Sequence, residues 1–152
     1  MKKTILLCLL LSLLYSCKKD ENPEVLTRGK ATFKIGTVEK VYTKANSFNN
    51  GVLALGDSTD ELVSMFFPIP TDFPTTYDMD TKDIVTASYV VNGKNYDATN
   101  GILGIGQKGS LLIKISASSD AKISGTFQFT AFGADDEQIT ITEGVFEEIP
   151  DL

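Results

Sequence analysis

Ile123-Ser124-Gly125-Thr126-Phe127-Gln128-Phe129-Thr130-Ala131 alternates without a break. Ile123, Gly125, Phe127, Phe129 and Ala131 fall on one side, and Ser124, Thr126, Gln128 and Thr130 on the other. Period two is the period of a strand with one face in a core and the other in water. Phe127 and Phe129 are therefore expected in the core. The same pattern recurs on both sides of this stretch. Leu111, Ile113 and Ile115 share a face upstream, and Ile139 and Ile141 alternate with Thr140 and Thr142 downstream.

Working towards the N-terminus, β-rich runs occupy Ala31 to Ile35, Val38 to Thr43, Val52 to Leu55, Glu61 to Phe67 and Ile84 to Val91. Asn46 to Gly51 reads as a turn cluster. Asn92-Gly93 lies between two β-type runs and predicts a two-residue hairpin, because both central residues of a type I′ turn need positive φ. No segment after Cys17 has a helical period. The pattern predicts an all-β domain of about nine or ten strands, an antiparallel β-sandwich or a flattened barrel. Successive tight turns favour a meander over a Greek key.

The N-terminus has a different composition. Lys2 and Lys3 precede an apolar run from Ile5 to Leu14, too short to span a bilayer and of secretory-signal length. The run ends in Leu14-Tyr15-Ser16-Cys17, where small Ser16 directly before Cys17 resembles a bacterial lipobox. That resemblance implies cleavage before Cys17 and lipid on its sulfur. The expected organisation is a signal peptide at 1–16, a lipidated cysteine and flexible polar tether at 17–29, and a single β-domain at 30–152.

Cys17-Lys18-Lys19-Asp20-Glu21 is also similar to the export signal of Bacteroidota surface lipoproteins, in which a Lys and two acidic residues follow the lipid cysteine. The resemblance implies display on the outer face of the outer membrane, with Lys19, Asp20 and Glu21 as the signal. The C-terminal third extends it. Ile123 to Ala131, then Ile139-Thr140-Ile141-Thr142-Glu143-Gly144-Val145-Phe146 and Ile149-Pro150, are similar to the end of a family of small Bacteroidota lipoproteins of unknown function. Pro68 to Tyr77 and Thr86 to Tyr89 fit the same family. The resemblance brings no activity and no functional residues.

Composition narrows the chemistry. The chain carries 20 Asp+Glu against 14 Lys+Arg, a net charge of −6, and loss of Lys2 and Lys3 would make it more acidic. An acidic surface repels nucleic acid and anionic lipid head groups, so neither is expected as a partner. There is no histidine and no tryptophan, and the two cysteines are Cys8, in the signal, and Cys17. A Ser-His-Asp triad is thereby excluded, and the β-domain offers no usual zinc or copper ligands. No cofactor is expected.

Four smaller patterns have ordinary readings. Asp78-Met79-Asp80-Thr81-Lys82-Asp83 has calcium-loop spacing at Asp78, Asp80 and Asp83, but Lys82 and Asp83 stand where an EF-hand wants an oxygen ligand and a glycine. Asp135-Asp136-Glu137 reads as a solvated hairpin tip. Ser119-Asp120-Ala121-Lys122 spells Ser-x-x-Lys in a turn, without the helix that catalytic motif opens. Gly101 to Gly106 is glycine-rich but departs from phosphate-loop spacing.

Phe66-Phe67-Pro68-Ile69-Pro70-Thr71-Asp72-Phe73-Pro74-Thr75-Thr76-Tyr77 holds the most functional promise. Three prolines in seven residues exclude a central strand. Phe66, Phe67, Ile69, Phe73 and Tyr77 either plug an open end of the β-structure or line a binding lip, where aromatics concentrate binding energy. The plug is the expectation, for Phe73 in particular. Two functions stay open. One is a non-catalytic surface lipoprotein, held to the membrane through Cys17, that binds a protein, a glycan or a small apolar ligand or serves as envelope coat. The other is a carboxylate-dependent enzyme or hydrolase accessory acting on extracellular glycans.

Overall fold

A computed structural model describes residues 28–44, 46–58, 60–81, 84–99, 108–117 and 122–151. Cys17, Lys19, Asp20 and Glu21 lie outside the described residues, as do Asp83, Gly101 to Gly106 and Ser119. The described residues form β1 (Lys30–Ile35), β2 (Val38–Tyr42), β3 (Ser47–Asn49), β4 (Val52–Ser58), β5 (Glu61–Phe66), β6 (Thr75–Asp78), β7 (Thr86–Val91), β8 (Lys94–Thr99), β9 (Ser110–Ala117), β10 (Lys122–Phe132) and β11 (Gln138–Pro150). Two 3-10 turns, Met79–Thr81 and Ala134–Asp136, interrupt them.

All eleven strands belong to one antiparallel sheet curled into a half-barrel. Its order is β2-β1-β11-β10-β8-β7-β5-β4-β3, with β9 and then β6 branching from β10. The meander holds from β3 to β8 apart from the β6 excursion. The last strand, β11, returns to lie beside the first. A flattened barrel thus describes the domain better than two stacked sheets.

The count exceeds nine or ten partly because Asn46 to Gly51 is not all turn. It contains the three-residue strand β3, and only Asn50-Gly51 turns, with φ of 49° and 82°. Asn92-Gly93 turns as its sequence predicts, with φ of 51° and 75° and Val91 opposite Lys94.

One core fills the curl. Phe127 and Phe129 are both buried, and the Phe127 ring lies 6.0 Å from Phe33, 6.3 Å from Phe146 and 6.4 Å from Phe129. Leu111, Ile113, Ile115, Ile123 and Ala131 join them, as the alternation predicts. Beneath two of these rings the strands carry glycine. A Cβ on Gly144 would stand 2.7 Å from the Phe127 ring, and one on Gly125 would stand 2.6 Å from the Phe146 ring.

β11 breaks its own alternation twice. Its inward residues are Ile141, then Gly144 and Phe146, then Ile149, so the buried parity switches from odd to even and back. Register shifts against β10 occur at both switches. An extra residue in one strand of a pair is a β-bulge, and it reverses which side chains face inward. The bulges hold Glu143 and Glu148 at φ of 52° and 56°, a conformation disfavoured for residues with a Cβ. Both are tied down. Glu143 pairs with Lys34 at 2.6 Å and Glu148 with Lys122 at 2.9 Å, and the Glu148 amide donates to Ser124 Oγ at 2.9 Å.

Candidate functional site

The Pro-rich connection between β5 and β6 divides its apolar residues. Phe67 is fully buried and stacks between Phe48, at 5.4 Å, and Tyr77, at 5.6 Å. Its amide donates to Gly51 O, and the Tyr77 hydroxyl donates to Pro68 O at 2.7 Å. These two residues are the plug. Phe66, Ile69 and Phe73 turn outward and are 39%, 61% and 44% exposed. The expectation that Phe73 plugs the core is therefore corrected. After Phe67 the three prolines hold the chain off the sheet, which it rejoins as β6 from Thr75, where Tyr77 packs back onto Phe67.

Two further apolar side chains join the outward group. Val52 stands directly opposite Phe66 across the β4–β5 ladder, and Phe66 stands opposite Thr86 across β5–β7. Ile84, two residues before Thr86, is exposed as well. Val52, Phe66, Ile69, Phe73 and Ile84 form an apolar rim at one end of the half-barrel. They are five of the seven exposed large apolar residues among the described residues, the others being Val38 and Val41 on β2.

Strand direction places that end. β1 starts at Lys30, opposite Glu147 near the end of β11. Asp151, just past β11, bridges to Phe48 in β3, and Phe48 pairs with Leu53, next to Val52. The Asn46 side chain reaches Gly29 O at 3.4 Å. The rim thus lies at the end where the N-terminal chain enters the fold. The Asn92-Gly93 hairpin lies at the opposite end.

The seam where the sheet's two edges approach is the second polar feature. β2 meets the upper half of β4 there, and side chains replace a backbone ladder. Asn46, fully buried, donates to Tyr42 O at 3.0 Å and accepts from the Gly56 amide at 3.2 Å. Asp57 accepts from the Thr43 and Lys44 amides at 2.9 and 3.3 Å. Lys40 of β2 pairs with Glu61 of β5 at 2.8 Å, and the Tyr89 hydroxyl donates to the same Glu61 oxygen. Burial opposes ionisation of Glu61. The Lys40 ammonium and the Tyr89 and Tyr42 hydroxyls outweigh it and hold the carboxyl below its ordinary range. The Tyr42 hydroxyl is buried without a well-aligned hydrogen bond. Burial first, and then the Glu61 charge, push its ionisation upward, so it stays a neutral phenol. Nothing in the sequence singled out Asn46 or Glu61, since one sat in a turn-like run and the other began a strand.

The acidic candidates have local roles. Asp78 ends β6 and accepts from the Asp80 amide at 3.0 Å. Both line an open groove of about 290 Å³ with Ser110, Thr130 and Thr140. Asp136 pairs with Lys108, just before β9, at 2.7 Å, and Glu137 pairs with Lys94 of β8 at 3.0 Å, so these two residues of the Asp135-Asp136-Glu137 cluster hold neighbouring segments. No group of three or more metal-ligating side chains occurs among the described residues. A larger groove, about 460 Å³, crosses the outer face between Thr32, Glu39, Lys114 and Gln128.

The fold and rim define a small all-β half-barrel domain with an apolar end. Residues 37–150 match a family described as Domain of unknown function (DUF6252), and the chain belongs to that family. No curated protein and no solved structure matches it.

Proposed function

We propose that the chain is a lipid-anchored envelope protein, displayed on the outer surface of the outer membrane, whose β-domain has a non-catalytic binding or structural role. The observation that carries this reading is Leu14-Tyr15-Ser16-Cys17 at the end of a short apolar run, followed by a polar stretch that leads into β1. Lys19, Asp20 and Glu21, directly after the cysteine, support outward display. The binding role is supported by the apolar rim, and by acidic side chains that already hold partners: Glu61 at the seam, and Asp136 and Glu137 in ion pairs with Lys108 and Lys94.

Each buried acyl CH₂ contributes about 0.8 kcal/mol, so two or more chains on Cys17 hold the protein stably. Cys17→Ala is expected to leave the membrane fraction on flotation. A variant that still floats would remove the lipid anchor from the reading. External protease on intact cells should degrade the wild-type domain and spare a variant with Lys19, Asp20 and Glu21 all changed to Ala. Equal degradation of the two would remove the export signal.

A further inference from the structure

We infer that the rim of Val52, Phe66, Ile69, Phe73 and Ile84 rests on the lipid surface in which Cys17 is anchored, so that the half-barrel stands end-on against the bilayer. The inference rests on the lipid-anchor reading above and adds an orientation and a contact surface to it.

Three observations lead there. The rim is at the end where the chain enters β1, so the anchor and the exposed apolar side chains leave the domain on the same side. Residues 18–27 bridge Cys17 to Arg28, and even a fully extended chain of that length reaches at most about 40 Å. The domain is thus held within about 40 Å of the lipid. Tethering makes the second contact intramolecular, so a weak apolar surface binds at high effective concentration. Finally, the segment Phe66 to Pro74 carries a single charged residue, Asp72, and its prolines hold Ile69 and Phe73 outward. Phe and Ile presented from a rigid loop suit the boundary between head groups and acyl chains, where apolar side chains bury a few ångströms deep. Charge attraction plays no part, since the protein is acidic. A free protein partner would have to compete with a lipid surface already beside the rim.

The test places a fluorophore at either end of the full-length lipidated protein. After signal removal and acylation of Cys17, a cysteine introduced by Ile69→Cys or Asn95→Cys is the only free thiol. Asn95 is exposed beside the Asn92-Gly93 hairpin, at the far end. Each labelled variant is reconstituted into zwitterionic phosphatidylethanolamine–phosphatidylcholine vesicles containing a nitroxide head-group lipid. Fluorescence at position 69 is expected to fall by about half, with little change at position 95. Adding Phe66→Asp and Phe73→Asp should abolish the quenching in a protein that stays folded, with a melting temperature lowered far less than by Phe127→Ala.

Equal quenching at both ends of a protein that floats with the vesicles would overturn the orientation. Protection of position 69 in native envelopes, without quenching in pure vesicles, would assign the rim to a protein partner and overturn it too. A protein that fails to float tests the lipid anchor instead, so the two failures are distinct.

Discussion

Phe127→Ala is expected to cost the domain about 3–5 kcal/mol, the range for removing a buried Phe ring. The ring lies at the centre of the aromatic core, within about 6 Å, centroid to centroid, of Phe33, Phe146 and Phe129. It also covers Gly144, which has no side chain to fill the space left behind. The surrounding atoms belong to β1, β10 and β11, whose ladders limit collapse into the cavity. Urea unfolding followed by far-ultraviolet circular dichroism reads the loss as a lower midpoint with an unchanged slope. A cost below about 1 kcal/mol would mean that the three strands do not share one packed core. Phe73→Ala is the internal comparison. Phe73 is 44% exposed, so the change should fall well short of the Phe127 effect.

The second large effect is expected at the seam. Asn46→Leu keeps the size of the side chain and removes its polar atoms. Gly56 loses the acceptor for its buried amide, and the Tyr42 and Gly29 carbonyls lose a donor. An unsatisfied buried group costs about 1–3 kcal/mol, so a loss of about 3 kcal/mol is expected for the cluster. Hydrogen exchange supplies the local reading. The Gly56 amide should exchange much faster in the variant, whereas the β10–β11 amides should follow only the global loss. If Gly56 stays as protected as before, Asn46 is not what joins the two edges of the sheet.

Much of this architecture was legible because period-two alternation is a local signal. Ile123 to Ala131 and Leu111 to Ile115 keep one parity throughout, and every inward residue read from them is buried except the half-buried Gly125. Asn92-Gly93 announced its hairpin through the conformational demands of the two residues. β11 was legible only in part. Its two bulges sit at glutamates, which carry no mark of left-handed backbone, so Ile139 to Ile149 did not show where the parity would switch. β3 was hidden because three residues are too few to alternate.

The candidate site was half legible. Prolines told that residues 68–74 leave the sheet, but apolarity is the same in a plug and a lip. Phe66 and Phe67 are adjacent and chemically identical, yet one is exposed and the other fully buried, because the alternation of β5 carries on one residue past its end, where the Phe67 amide still bonds Gly51 O. Val52 and Ile84 joined the rim through strand pairing across the sheet, a long-range relation that no local window contains. Asn46 and Glu61 matter for the same reason, since their partners lie on strands distant in sequence.

The position of β1 bears on how the domain takes a load. β1 is not an edge strand: β2 pairs along one side of it and β11 along the other. Ladder hydrogen bonds run perpendicular to the strands. On the proposed lipid anchor, drag on the domain would act along the axis of β1, across those bonds. Both ladders then bear the pull together in shear, instead of opening one bond after another like a zipper. On that reading the first strand would be the stem of the β-domain, gripped on two sides.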